Sequence, residues 1–231
     1  MDAHREMIWQ RGPKQEVLRE EHRRFRASMK TDLVSAHVSL ASVYATLAGQ
    51  YSGWRRVYAV WYAWRAVHNA KDADRITCHK PGGLKADQAD VVSAILAKAP
   101  WWVGGNSRQA VDIAQYSLYV HPDRHQMKPH TRALLEITIG RVYEKRKEIS
   151  FAEVHFGRAC DLFAEIEGED SDDRDCQLVR VASSVAFFYL NHRLGDRYWA
   201  NKLLTRSLEL ADRVSRDQAE KIRAEMRKRG L

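Results

Sequence analysis

The sequence predicts an all-α fold, a stack of antiparallel helical hairpins joined by short turns. Three observations predict it. Apolar residues recur at helical spacing along almost all of the 231 residues. Strand signals are close to absent, with no β-branched alternation between turn residues and no Asn-Gly pair. Turn residues return at helix-length intervals, although Gly and Pro number only 12 and 5.

The helices are expected at about 14–29, 32–48, 54–70, 87–99, 106–120, 131–146, 151–166, 176–193, 197–212 and 216–229. Pro13 suits a first helical turn, and Thr31-Asp32 and Asn106-Ser107 carry side chains that cap helix starts. Gly104-Gly105, His121-Pro122, Lys128-Pro129 and Gly195 end or interrupt helices. The organisation read from this is a basic N-terminal helix over 1–31, a hairpin array over 32–214 and a basic capping helix over 215–231.

Composition narrows the class. Apolar residues make up 45% of the chain, enough for a sizeable core, and no long linker is present. The three cysteines, Cys78, Cys160 and Cys176, are odd in number and include no CxxC pair, which argues for a reducing, cytoplasmic setting. No apolar run follows the first charged residues as in a secretory signal, and no charge-free window is long enough to span a membrane. The formal charge of +8 favours acidic partners.

Ala133–Ile166 reads ALLEITIGRVYEKRKEISFAEVHFGRACDLFAEI, 34 residues. Its first helix carries a large-then-small pair, Ile139-Gly140, and then Tyr143; its second carries Ala152, Phe156 and Ala159. This resembles one tetratricopeptide repeat, a helix-turn-helix unit whose small residues let two helices approach closely while aromatics fill the gap to the next hairpin. A second copy is read over Val181–Val214, with Gly195 at the turn and Ala200, Leu204 and Ser207 as the small-large-small pattern. Its first helix departs from the pattern, with Phe187-Phe188 at the pair and Asn191 at the aromatic position. A looser copy over 91–124 offers Ala110, Ala114 and Ser117, and Leu40, Ala41 and Tyr44 look like a further first helix. The resemblance implies a right-handed α-solenoid of about four hairpins and a binding groove lined by each hairpin's first helix.

The stretch Gly53–Ala70, GWRRVYAVWYAWRAVHNA, holds three of the seven tryptophans. In the solenoid reading Ala59, Ala63 and Ala66 face the helix's own hairpin partner. Trp54, Val57, Trp61 and Trp64 are then wedged between hairpins, and the helix is nearly fully buried. A stacking surface for single-stranded nucleic acid also needs aromatics mixed with Arg, but it leaves the alanine stripe unexplained.

Catalytic signals are sparse. HPDRHQMKPH gathers His121, Asp123, His125 and His130, but its prolines place the run in a loop, so no metal site is expected. Arg124 and His130 fit the loose spacing of HEPN-type ribonucleases, an Arg and a His separated by about four to six residues, with Pro129 breaking the expected helical context. GGLK at Gly82–Lys85 and VGGN at Val103–Asn106 lack nucleotide-loop spacing. The segment EIEGEDSDDRD, Glu165–Asp175, carries seven acids and reads as a solvated loop without calcium-loop spacing.

These readings lead to an expectation of a non-enzymatic scaffold or adaptor without a cofactor. It would bind a protein or peptide, acidic in character, through Arg141, Glu144, Lys145, Tyr189, His192 and Arg193. Ile137, Arg141, Val185 and Tyr189 stand where the family's carboxylate clamp needs Lys and Asn, so a chaperone-tail ligand is disfavoured. The second reading is nucleic-acid binding through the basic ends, including Arg223, Arg227, Lys228 and Arg229; a HEPN-like ribonuclease ranks third. Homodimerisation through the open ends of the array is compatible with all three.

Overall fold

The computed structural model describes residues 15–28, 32–50, 56–77, 84–168, 174–192, 197–214 and 216–229. Among them all regular structure is helical. The chain divides into two compact units, Met1–Met127 and Lys128–Leu231.

In the first unit the helices are α1 (Gln15–Ser28), α2 (Leu33–Gln50), α3 (Arg56–Ile76), α4 (Ala86–Lys98) and α5 (Ser107–Gln115). Asp32 starts α2 by accepting from the Ser35 amide at 2.9 Å and the Ser35 hydroxyl at 2.6 Å. Those bonds, the hydroxyl's first, hold its carboxyl below the ordinary value. Asn106 caps α5 by accepting from the Gln109 amide at 3.1 Å. Between α4 and α5, a 3-10 turn at Trp101–Val103 ends at Gly104, whose φ of 91° suits glycine. Beside it, a Cβ on Gly105 would stand 2.0 Å from the Ala99 carbonyl oxygen. After α5 the helix widens into a π-turn at Tyr116–Val120, followed by a 3-10 turn at Pro122–Gln126.

Helices α2 and α3 pair, α4 and α5 pair, and α4 packs on both α2 and α3. At the α2–α3 junction Ala41 and Tyr44 of α2 and Ala66, Ala70 and Ala73 of α3 are buried, and His37 Nδ1 lies 3.0 Å from Asn69 Oδ1. Ala110, Ala114 and Ser117 give the second pair the same spacing of buried small side chains. The alanine stripe of α3 therefore runs seven residues later than the sequence reading placed it: Ala59 and Ala63 are only half-buried.

The tryptophan expectation fails. Trp61 is 47% exposed and Trp64 46%, so α3 is not nearly fully buried and these indoles are not wedged between hairpins. Residues 61, 64 and 68 lie on the side of α3 opposite its alanines, and that side is left exposed. Trp54 and the side chain of Val57 lie outside the described residues.

The second unit contains α6 (Pro129–Lys145), α7 (Ile149–Asp161), the short α8 (Phe163–Glu167), α9 (Arg174–His192), α10 (Arg197–Val214) and α11 (Arg216–Arg229). Here α6 pairs with α7 and α9 with α10, while α9 packs on both α6 and α7 and α11 packs on α10. A Cβ on Gly140 would lie 3.0 Å from Phe156 Cδ2 and Cε2, so the missing side chain lets α6 and α7 close. Phe156 then stacks on Phe188 of the next hairpin, centroids 4.1 Å apart. Both rings are buried, and such a pair adds about 0.5–1.5 kcal/mol beyond its burial.

The turn from α6 to α7 closes with Lys147 N–H donating to Glu144 O and Glu148 N–H donating to Tyr143 O, both at 3.0 Å. Lys147 takes φ of 65° to do so, a left-handed conformation usually filled by Gly. Across the same hairpin His155 Nδ1 donates to Glu136 Oε2 at 2.6 Å, with both side chains buried.

Candidate functional site

A cleft of about 380 Å³ opens in the second unit between α6, α9 and α11. Helix α6 supplies Arg141 and Glu144, less than one turn apart on one face. Helix α9 supplies Ser183, Ser184, Phe187, Phe188 and Asn191, and α11 supplies Lys221, Ile222 and Glu225. Phe156 of α7 reaches the floor beside Phe188. The lining is thus aromatic at its base, with two cations, two carboxylates and uncharged polar groups around it.

Hydrogen bonds fix the walls. Arg141 Nη2 donates to Ser184 Oγ at 2.8 Å, and Ser184 Oγ donates in turn to the Arg180 carbonyl at 2.6 Å. His192 Nε2 donates to Glu144 Oε1 at 2.8 Å, with the imidazole tilted over Phe188 at 5.0 Å. Both contacts tie α6 to α9, so the cleft's width is set by side chains that also line or border it. Desolvation, and then the Arg141 charge, hold the Lys145 ammonium below its ordinary value.

Of the six groove residues named from the sequence, Arg141 and Glu144 line the cleft and His192 braces Glu144. Lys145 follows on the same helix, exposed. Tyr189 is turned elsewhere. Its ring meets Trp199 of α10 edge to face at 5.5 Å, and a Cβ on Gly157 of α7 would lie 3.7 Å from its hydroxyl. Burial raises its phenol pKa, and Glu153, Cys160 and Asp161 add to that. Arg193 lies outside the described residues.

The displacement of Tyr189 has a register cause. In α6 the buried pair Ile139-Gly140 precedes Tyr143, which stacks on Phe151 and His155 of its own hairpin at 5.6 Å. In α9 the matching pair is Val185-Ala186, both buried, followed by Tyr189 against Trp199 of its own hairpin. The sequence reading set this register two residues late, on Phe187-Phe188. Corrected, the counterparts of Ile137, Arg141 and Lys145 are Ser183, Phe187 and Asn191, and all three line the cleft. The signal was present in the sequence: a large-small pair with an aromatic three residues on, and a turn two residues longer than the standard unit.

Of the C-terminal basic residues, Arg223 is engaged within the chain. Arg223 forks onto Asp212 of α10, Nη2 at 2.7 Å from both carboxylate oxygens, and reaches Glu220 at 3.1 Å. Its guanidinium pins α11 to α10, and the bonds to Asp212 raise its already high pKa. Arg227 is exposed, and the side chains of Lys228 and Arg229 lie outside the described residues.

The loop histidines disperse. His121 is buried, with Nδ1 accepting from the Asp123 amide at 3.1 Å, whereas His125 is exposed. Arg124 sits on the 3-10 turn of the first unit and His130 in the first turn of α6, in the second. No group of three metal-ligating side chains converges among the described residues. Burial, then Asp161, raises the Cys160 thiol pKa, the opposite of what an activated thiolate needs. Cys78 lies outside the described residues, as does the middle of the acidic segment, 169–173. Its Glu165 end is 3.7 Å from Arg132. No described helix is long and apolar enough to cross a membrane.

Compared with known proteins, the chain matches no family model, no curated protein and no solved structure.

Proposed function

We propose that the chain is a non-enzymatic adaptor whose tetratricopeptide-like hairpins hold a segment of a partner protein in the cleft of the second unit. The observation that carries this reading is the lining itself. A floor of Phe156, Phe187 and Phe188 offers apolar anchorage. Around it Arg141, Lys221, Glu144 and Glu225 offer both signs of charge, and Asn191 offers an amide that can pair with a peptide backbone. Supporting the array reading, the first helix of each later hairpin packs on both helices of the one before it, in each unit. The proposed ligand is an extended or helical peptide with an apolar anchor and charges of both signs, a broader choice than the acidic peptide expected from the sequence. The setting we propose is cytoplasmic, with no cofactor.

The test is capture from the native host by the immobilised chain, read by mass spectrometry. Phe187→Asp places a charge on the cleft floor, and Arg141→Glu reverses a wall. Each is expected to remove the same partner at least tenfold, with helical content by circular dichroism unchanged. Equal capture by both variants and the parent chain sinks the proposal.

A further inference from the structure

The first unit carries most of the net positive charge and most of the indoles. Over residues 1–127 there are 18 Lys and Arg against 12 Asp and Glu, and six of the seven tryptophans. Four of those indoles are exposed: Trp61 and Trp64 on α3, at 47% and 46%, and Trp101 and Trp102 on the 3-10 turn, at 85% and 56%. That turn packs on α3, so the two pairs belong to one part of the unit.

The indoles of α3 are held, not loose. Trp61 meets Tyr44 and Tyr62 edge to face at 6.0 and 5.0 Å. Trp64 lies parallel to the His68 ring, 5.4 Å away. The Arg65 guanidinium sits 5.7 Å from the Trp61 ring centre and 5.4 Å from that of Tyr44. Aromatic faces hold that cation, and no carboxylate pairs with it among the described residues. Helix α1 packs on α2 beside this cluster, with His22 Nε2 and the Tyr44 hydroxyl 2.9 Å apart. It brings Arg23, Arg24 and Arg26 to the surface; Glu20 pairs with the first two, and Arg26 has no ion pair among the described residues. The His22 pKa is lowered first by burial and then by Arg65 and Arg26, a local sign of the same positive field.

We infer that the α1–α3 face of the first unit binds single-stranded nucleic acid, its bases stacking on Trp61 and Trp64 and its phosphates drawn to Arg26 and Arg65. Two requirements select this occupant. Ordered indoles exposed beside one another suit flat π-faces, and a purely acidic peptide has none. A duplex keeps its base faces stacked on each other, so it uses only the charges. Trp61 and Trp64 are three residues apart on one helix, neighbours on its surface, which suits successive bases of an open strand. Charge and stacking are thus combined on one face, and each has its own experimental signature.

The experiment measures anisotropy of labelled oligo-dT and oligo-U, about twenty nucleotides long, against a duplex of equal length, with polyglutamate as competitor. Expected are preferential binding of single strands and log-linear weakening with salt, about −0.7 in slope per phosphate contacted. Trp64→Ala should weaken binding about tenfold, the size of one lost stacking contact. Trp61→Phe, which keeps a smaller ring against Tyr44, should weaken it less. Arg26→Glu should flatten the salt slope, whereas Lys202→Glu on α10 should leave both affinity and slope unchanged. Melting curves establish that each variant is folded. Tighter binding of oligo-U than oligo-dT, or the reverse, assigns the strand as RNA or DNA and supports the proposal either way. No binding at low salt, equal binding of the duplex, indole variants that bind as the parent does, or a face that takes polyglutamate and leaves the strands free would each overturn it.

Discussion

The hairpin of α6 and α7 and the hairpin of α2 and α3 solve one packing problem with different consequences. In α6–α7 the close approach comes from Gly140, and the ring that fills the space, Phe156, is buried and stacked on the next hairpin. In α2–α3 the buried small residues of α3 are Ala66, Ala70 and Ala73, and its rings Trp61 and Trp64 are left exposed. The first arrangement spends its aromatics on internal cohesion. The second keeps them at the surface, where they contribute little to folding and are available for contact. The difference teaches that an aromatic in a hairpin array is assigned by its rotation relative to the small-residue stripe, not by its abundance.

The sharpest way to break this comparison is to truncate the buried ring. Phe156→Ala should lower the stability of the second unit by about 3–5 kcal/mol, read from chemical unfolding followed by circular dichroism. A loss under about 1 kcal/mol would mean that the stack on Phe188 contributes little. Crowding the junctions comes next. Gly140→Val and Ala70→Leu should each cost about 1–3 kcal/mol, because both introduce atoms where a neighbouring helix already lies. If only the Gly140 variant is destabilised, the two junctions are not equivalent. Relief of the α6–α7 turn is smaller and of opposite sign: Lys147→Gly should stabilise by about 0.5–1 kcal/mol, since glycine takes the left-handed conformation without a Cβ clash. Trp101→Ala should change stability by no more than about 0.5 kcal/mol, the contrast that sets an exposed indole apart from Phe156.

The smallest effect is a pH dependence at His22. Its folded-state pKa lies below 6.5, through burial and then the charges of Arg65 and Arg26. The unfolded chain therefore binds the proton first as pH falls. Stability is fully present above 6.5 and declines as pH drops through and below that value. Replacing it, His22→Asn, should make the melting temperature of the first unit less sensitive to acid over that window. An unchanged pH profile would show that His22 is not responsible.

Much of the helical plan was legible because its signals are local. The start of α2 at Asp32, the cap at Asn106, the break at Gly104-Gly105 and the proline at the start of α6 each act within a few residues. The close packing of α6 on α7 was legible for the same reason: Gly140, Ala152, Phe156 and Ala159 sit at fixed offsets and all are buried or in close contact. Half of the cleft followed from it, through Arg141 and Glu144. The α9 wall did not, because a longer turn shifted the register by two residues and put Phe187 and Asn191, not Tyr189, in the cleft lining. The contributions of Lys221 and Glu225 were out of reach, since which face α11 offers the cleft depends on how it packs against α10.

By itself the sequence determined that the chain is helical and roughly where most helices start, because caps and breakers act over one or two turns; ends such as that of α3, at Ile76 where 70 was expected, were not fixed by local signals. Only the tertiary structure decided whether a second helix covers the tryptophan side of α3. Ala59, Ala63, Ala66, Ala70 and Ala73 share one side of the helix and Trp61 and Trp64 the other, and whether that other side is covered rests on long-range packing that no local pattern encodes.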